Sequence, residues 1–313
     1  MCFFSVACIL AVAAPVLCHA QVVSFPTPDD KIIVGILDDA REEIWHGNAG
    51  PIKHRVVMPA FEKDDSGWRI VTAFFLHKMK WTIAFDGKNL GEVETEAQSR
   101  QGDSNQGGPP YSREKLAILT SIAGIPTIGQ PSEKFTGVTG ILGPLKVRRP
   151  LMVVSKPYFK DPDGWKRVQL QDEIVRLVRQ GFRKQYPHVD RCKNEEIAEH
   201  DWKFPDSALM FDATYASNKH AFLVGLRLNA GDCGWGGQPD DPLDPWVDQW
   251  FVVAADRSVR RIGGYEQLVD AGDYDNDGIS EFVFFSTRSE RTDAYDLVYD
   301  NFQKRVDVEI SYR

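Results

Sequence analysis

The chain has 313 residues, with 45 acidic and 37 basic side chains and a formal net charge of −8. This acidic balance argues against nucleic acid as a partner, because a nucleic-acid-binding surface needs clustered Lys and Arg. The length suffices for one large domain or two small ones with a sizeable core.

The first 20 residues predict an export signal. They contain no Asp, Glu, Lys or Arg, and an apolar stretch from Phe3 to Leu17 is followed by the small-residue end Cys18-His19-Ala20. This stretch is short for a membrane span. We expect residues 1–20 to be removed, which leaves a secreted or periplasmic protein without a membrane segment. The alternative is an anchor helix that stays in place.

Residues 21–98 predict an N-terminal β region. Short β-branched or aromatic runs alternate with turns rich in Asp and Gly, which predicts an antiparallel meander with strands at residues 31–37, 55–58, 68–74 and 81–85. Residues 99–114 are rich in Gly, Gln, Ser and Pro without apolar periodicity, so we expect a flexible loop or a domain boundary there. A C-terminal β-rich region would then occupy residues 115–313.

One amphipathic helix is predicted at residues 170–186. Acidic residues come early and basic residues come late, as the helix dipole favours, and Pro187 ends the pattern. The apolar side chains recur at helical spacing and share one face: Leu170, Ile174, Leu177, Val178 and Phe182.

Two of the five cysteines lie outside the export signal, at Cys192 and Cys233. In an oxidising compartment such a pair most simply forms one disulfide. Two separate thiols are the alternative.

An acidic, tryptophan-rich stretch at residues 231–250 contains one of these cysteines, Cys233. It has no basic residue, and its tryptophans and aspartates are Trp235, Trp246, Trp250, Asp232, Asp240, Asp241, Asp244 and Asp248. Aromatic faces with carboxylates suit a sugar, and carboxylates alone suit a second cation. We favour an irregular connection whose tryptophans fold onto a sheet edge.

Further strands are predicted at residues 208–215, 221–228, 250–254, 266–270, 281–285, 295–299 and 306–310. The fold class is therefore mainly β, with antiparallel sheets built from consecutive hairpins and one helix. An α+β or a partial propeller-like architecture would fit. The turns Asp64-Asp-Ser-Gly-Trp68 and Asp161-Pro-Asp-Gly-Trp165 echo each other, but no regular period of ~40–50 residues supports a propeller repeat.

The most informative segment is an acidic loop before the strand that begins at Glu281. Carboxylates at alternate positions, Asp273, Asp275 and Asp277, converge in a tight turn, and Gly278 tolerates backbone angles that other residues resist. The Ile279 carbonyl would add a neutral oxygen, and Glu281 would close the shell directly or through water. Such an oxygen cage favours calcium. The alternative is a solvated hairpin turn, in which Asp, Asn and Gly are also common.

The spacing of the acidic residues in this loop is not that of an EF-hand. An EF-hand carries its bidentate glutamate about twelve residues from the first ligand, and that position falls on Phe284 within a predicted strand. Residues 264–285 instead resemble the calcium loops of integrin-type FG-GAP repeats, in a single copy. The resemblance implies that Asp273, Asp275, Asp277 and Glu281 hold calcium and brace a β-hairpin.

The whole mature chain also resembles an uncharacterised family of secreted bacterial proteins, which implies no activity. The sequence has no G-x-S-x-G elbow, H-E-x-x-H helix or phosphate loop with its Lys. Two hypotheses follow. The first is a secreted β-rich protein with structural calcium that binds an extracytoplasmic ligand, either carbohydrate or protein. The alternative is a secreted hydrolase acting on glycans or another extracytoplasmic substrate.

Overall fold

Three antiparallel sheets and one helix make up the described part of the chain. The computed structural model describes residues 31–43, 49–71, 79–95, 117–118, 151–157, 159–189, 202–229, 248–265, 267–289 and 292–311. These residues all belong to one compact unit, Lys31–Arg313. The export signal, the loop at 99–114 and both Cys192 and Cys233 lie outside the described residues.

The first sheet has seven strands. They are β1 (Ile32–Glu43), β2 (Ala49–Asp64), β3 (Gly67–Ile70), β4 (Met79–Phe85), β5 (Lys88–Thr95), β6 (Ala117–Ile118) and β7 (Leu151–Val154). The order is β3-β2-β1-β7-β4-β5, and β6 pairs with β2. The N-terminal strands therefore do not form a simple meander, because β7 lies between β1 and β4.

The second sheet is a five-stranded meander in the order β12-β11-β10-β9-β8. Its strands are β8 (Lys166–Arg167), β9 (Leu209–Ala216), β10 (Phe222–Leu228), β11 (Gln249–Val253) and β12 (Val259–Gly264). Helix α1 (Asp172–Gln185) and a 3₁₀ turn at Asp206–Ala208 lie between β8 and β9 in the chain.

Helix α1 confirms the predicted amphipathic helix. It begins two residues after the expected start, because Gln171 has an extended backbone with ψ 142°. The buried side chains Ile174, Val178 and Phe182 come from the predicted face and pack with the apolar side chains of β9, β10 and β11. Within the described residues, no helix has the length and apolar character of a membrane span.

The third sheet consists of β13 (Gln267–Gly272), β14 (Glu281–Ser289), β15 (Thr292–Tyr299) and β16 (Lys304–Ser311) in chain order. It is buried on both faces, as β14 shows. Phe282 and Phe284 pack in a cluster with residues of the second sheet, whereas Val283 and Phe285 pack in a cluster with residues of the first. Side chains alternate across a strand, so the third sheet lies between the other two.

The predicted fold class is confirmed: the described chain is mainly β, antiparallel throughout, with one helix. Its three sheets are open, and the described strands form neither a closed barrel nor a propeller. Several strands were not predicted, namely β5, β7, β12 and the two-residue strands β6 and β8. These strands are too short or too polar for their sequence pattern to differ clearly from that of the adjoining segments.

Candidate metal site

The acidic loop connects β13 to β14 at one end of the central sheet. The two strands pair in a register that places Gly272 opposite Glu281. Asp273, which follows Gly272 directly, is therefore brought beside Glu281, although eight positions separate them in sequence. The predicted hairpin with an acidic connection is present in the fold.

Three carboxylates meet at this end of the hairpin. Asp273, Asp275 and Glu281 each offer an oxygen within 4.8 Å of the others. We call these three residues the acidic cluster. Asp273 and Glu281 are 1% and 2% exposed, and the side chain of Asp275 is 1% exposed. Buried carboxylate oxygens at this separation are the ligands that calcium prefers.

Backbone N–H groups of the loop hold the carboxylates in place. The amides of Asp277 and Gly278 donate to the two oxygens of Asp273 at 3.1 and 3.0 Å. The amide of Tyr274 donates to Glu281 Oε2 at 2.8 Å. Gly278 has a φ of +87°, which a residue with a β-carbon resists. The tight loop therefore directs its donors inward and leaves the carboxylates facing one another.

The electrostatics of the acidic cluster oppose full ionisation. Burial raises the pKa of Glu281 to about 9, and the negative charges of Asp275, Asp277 and Asp273 add to the effect. Burial also raises the pKa of Asp273, an effect that hydrogen bonds from the Gly278 and Asn276 amides oppose. Removing carboxylates from water and placing them together disfavours their charged forms. A cation bound among these carboxylates would therefore stabilise their charged forms.

Lys63, near the end of β2, supplies one positive charge. Its Nζ contacts Asp275 Oδ2, and its side chain is 29% exposed. Burial lowers the pKa of Lys63, but the hydrogen bond to Asp275 and the charges of Asp275, Glu281 and Asp277 raise it overall. A residue of the first sheet therefore contacts the loop of the third.

A second acidic turn encloses the loop from the other side. The carbonyl of Lys160 accepts a hydrogen bond from the Asp273 amide at 2.7 Å. Asp163 accepts from the Ser280 amide at 3.1 Å, and Asp161 accepts from the Ser280 hydroxyl at 3.0 Å. These two aspartates hold Ser280 of the loop, one through its amide and one through its hydroxyl, and are not members of the acidic cluster.

Aromatic packing fixes the same segment on both faces of the central sheet. The rings of Phe159 and Tyr274 lie 4.8 Å apart, and those of Trp165 and Phe282 lie 5.2 Å apart. Phe159 belongs to the core shared with the first sheet, and Trp165 belongs to the core shared with the second. The segment from 159 to 165 therefore crosses the end of the third sheet beside the acidic loop.

The remaining predicted ligands have other positions. Asp277 is exposed, and its Oδ1 accepts a hydrogen bond from the Ile279 amide at 2.8 Å. It is not among the three grouped carboxylates. Ile279 is half-buried, and its carbonyl as a ligand stays a prediction. The pairing of Cys192 with Cys233 also stays a prediction.

Sequence reasoning missed Lys63, Asp161 and Asp163 as neighbours of the loop. One signal could have found them, namely the similarity between the turns Asp64-Asp-Ser-Gly-Trp68 and Asp161-Pro-Asp-Gly-Trp165. Both turns lie beside the acidic cluster: Lys63 directly precedes the first, and the second contains Asp161 and Asp163. The similarity of the two turns reflects their common position beside the acidic cluster and not an internal repeat.

The tryptophan-rich stretch is described only from Asp248 onward. Trp250 is fully buried, and its indole N–H donates to the Tyr265 carbonyl at 2.7 Å. It stacks with Tyr215 at a ring separation of 6.3 Å. Trp250 is therefore a core residue and offers no face to a sugar.

Comparison of the chain with protein-family models, curated proteins and solved structures finds no match.

Proposed function

We propose that this protein is an exported β-rich protein stabilised by one structural calcium ion, held by Asp273, Asp275 and Glu281 and completed by further oxygens of the same loop. The observation that carries the proposal is that three carboxylates with buried side chains offer oxygens within 4.8 Å of one another. Calcium takes six to eight oxygen ligands. Asp277 and the Ile279 carbonyl, as the FG-GAP resemblance and the loop spacing imply, would add to the three grouped oxygens.

A structural role is better supported than a catalytic one. The loop lies at the end of a sheet that is packed on both faces, and its carboxylates accept hydrogen bonds from the loop's own backbone. An ion enclosed by protein oxygens leaves little room for a substrate. We therefore propose a binding or structural module with an extracytoplasmic carbohydrate or protein partner. The glycan-hydrolase alternative gains no support from the described residues.

Thermal unfolding with calcium and with a chelator tests the proposal. Saturation at one hundred times Kd stabilises a folded protein by about 2.7 kcal/mol, which corresponds to a rise in Tm of about 5 °C for a chain of this size. Magnesium at the same concentration should give a smaller rise, because it is smaller and sheds its water reluctantly. An unchanged Tm in calcium and chelator would reject the site.

Asp275→Asn provides the matching variant. It removes one charge from the acidic cluster and should abolish most of the rise in Tm. Asp256→Asn is the control, because Asp256 is exposed and accepts a hydrogen bond from the Ser258 amide at 2.9 Å in a different turn. The control should keep the full calcium response.

The export part of the proposal is tested by the mass of the protein recovered outside the cytoplasm. We expect a chain that begins at Gln21 and whose Cys192 and Cys233 resist alkylation until they are reduced. A recovered chain that retains residues 1–20 would contradict the cleavage.

A further inference from the structure

We infer that Lys63 is a built-in substitute cation. Its ammonium holds the acidic cluster together when no ion is bound, and a divalent ion displaces it on binding. The inference rests on the proposed function, because it concerns how the same site is filled.

The contact between Lys63 and Asp275 joins residues that are 212 positions apart in the chain. The lysine side chain is 29% exposed, whereas that of Asp275 is 1% exposed. The ammonium therefore reaches from the surface toward a buried carboxylate. The neighbouring acids on β2 have other partners: Glu62 pairs with Arg69 at 2.6 Å and with Lys31 at 3.3 Å, and Asp64 pairs with Arg69 at 2.6 Å.

The ammonium and a divalent ion compete for the same oxygen. Asp275 would be a ligand to the ion, and two cations on one carboxylate repel each other at short range. When all three carboxylates are ionised, one lysine leaves two negative charges uncompensated, whereas a divalent ion leaves one. A divalent ion therefore matches the acidic cluster better than the lysine does.

Lys63 has a route out of the site. Its four-carbon stem is flexible and partly exposed, so the charged end can turn to solvent without unfolding β2. The ring of Trp68 lies 5.8 Å from Nζ, so a cation–π contact adds to the ion pair with Asp275 in the ion-free protein. Exchange thus needs a side-chain movement only.

Lys63→Met tests the exchange, because methionine keeps an unbranched apolar stem and removes the charge. We expect chelator-treated Lys63→Met to bind calcium about tenfold more tightly than the unmodified protein in isothermal titration calorimetry, a coupling of ordinary size between two cations at one site. Lys219→Met is the matched control. Lys219 pairs with Asp163 at 2.6 Å beside the loop, but Asp163 is outside the acidic cluster. Its loss should change Kd by about twofold at most, because exposed charges are screened.

The outcomes separate the two claims. Equal calcium affinity of Lys63→Met and the unmodified protein would overturn the exchange and leave the calcium site standing. Absence of binding in both proteins would overturn the proposed function. Binding by Lys63→Met alone would overturn both, because Lys63 would then be the permanent counter-ion.

Labelling of the unmodified protein gives a second measurement that does not depend on the folding of a variant. An amine-reactive reagent, followed by peptide mass spectrometry, should label Lys63 several-fold faster in saturating calcium than in chelator, while labelling of Lys219 stays unchanged. Equal labelling of Lys63 in the two conditions would overturn the displacement.

Discussion

At the residue scale, Glu281 shows how a proton and a metal ion compete for one carboxylate. Its pKa is raised to about 9 by burial and by the neighbouring aspartates, against an ordinary value of 4.5. Near neutral pH the ion-free protein therefore keeps this group protonated. Metal ligands must be deprotonated to bind, so calcium binding releases a proton.

This competition predicts a pH dependence between about pH 4.5 and 9. The stability that protonated Glu281 contributes to the ion-free protein is fully present below pH 4.5 and is lost as the pH rises through about 9. The free energy of unfolding in chelator should therefore fall as the pH rises across this window, and calcium affinity should increase. Urea unfolding at several pH values measures the first effect, and calorimetry measures the second.

Glu281→Gln is the matched variant, because its amide oxygen still accepts the hydrogen bond from the Tyr274 amide. It should remove the slope between about pH 4.5 and 9 in chelator and weaken calcium binding. A slope that persists in Glu281→Gln would assign the titration to another group.

At the element scale, the β13–β14 hairpin depends on two glycines for different reasons. A β-carbon on Gly272 would meet the Phe159 ring and would lie 2.9 Å from the Lys160 carbonyl. Gly278 has open space around it and a positive φ of +87°. The first glycine is required for close approach, and the second is required for its backbone conformation.

Gly272→Ala should therefore destabilise the protein more than Gly278→Ala. We expect losses of about 3 kcal/mol for the first, since packed backbone cannot yield, and about 1 kcal/mol for the second. Urea unfolding in chelator measures both. Gly91→Ala is the control for Gly278→Ala, because Gly91 also has a positive φ and open space but lies in β5. A larger loss at Gly278 than at Gly272 would contradict the described approach of residues 159 and 160.

Local sequence pattern predicted the elements whose signal is strong. The apolar run Phe282-Val-Phe-Phe285 predicted β14, and its burial on both faces explains why no polar residue interrupts it. The 3.6-residue spacing predicted α1. The fully buried Leu151–Val154 strand was missed because four apolar residues do not distinguish a strand from other buried segments.

The sequence could not predict which distant segments meet. The acidic alternation predicted Asp273, Asp275 and Glu281 as neighbours, because eight residues of tight loop bring them together. Lys63 lies in another sheet, and local spacing carries no information about a contact between distant segments. The position of β7 between β1 and β4 could not be predicted for the same reason.

At the scale of the whole molecule, the central sheet shares one core with the first sheet and another with the second. Unfolding any one sheet would expose apolar side chains of its neighbour. We therefore expect residues 31–313 to unfold in one calorimetric transition. Calcium should raise the midpoint temperature of this whole transition. A second transition whose midpoint temperature does not change with calcium would contradict this coupling.

Calcium at the end of the central sheet would thus stabilise the packing of all three sheets through one loop. The contacts that transmit the effect are the hydrogen bonds from Ser280 to Asp161 and Asp163 and the pairing of Asp273 with Lys160. They link the loop to the segment that leads into the second sheet. Lys63 links it to the first.

A crystal structure determined in saturating calcium tests the central claim most directly. We predict an ion with oxygens of Asp273, Asp275 and Glu281 at about 2.3–2.6 Å and the Lys63 ammonium withdrawn from Asp275. A structure in which the lysine still contacts Asp275 and no ion lies among the three carboxylates would contradict the account.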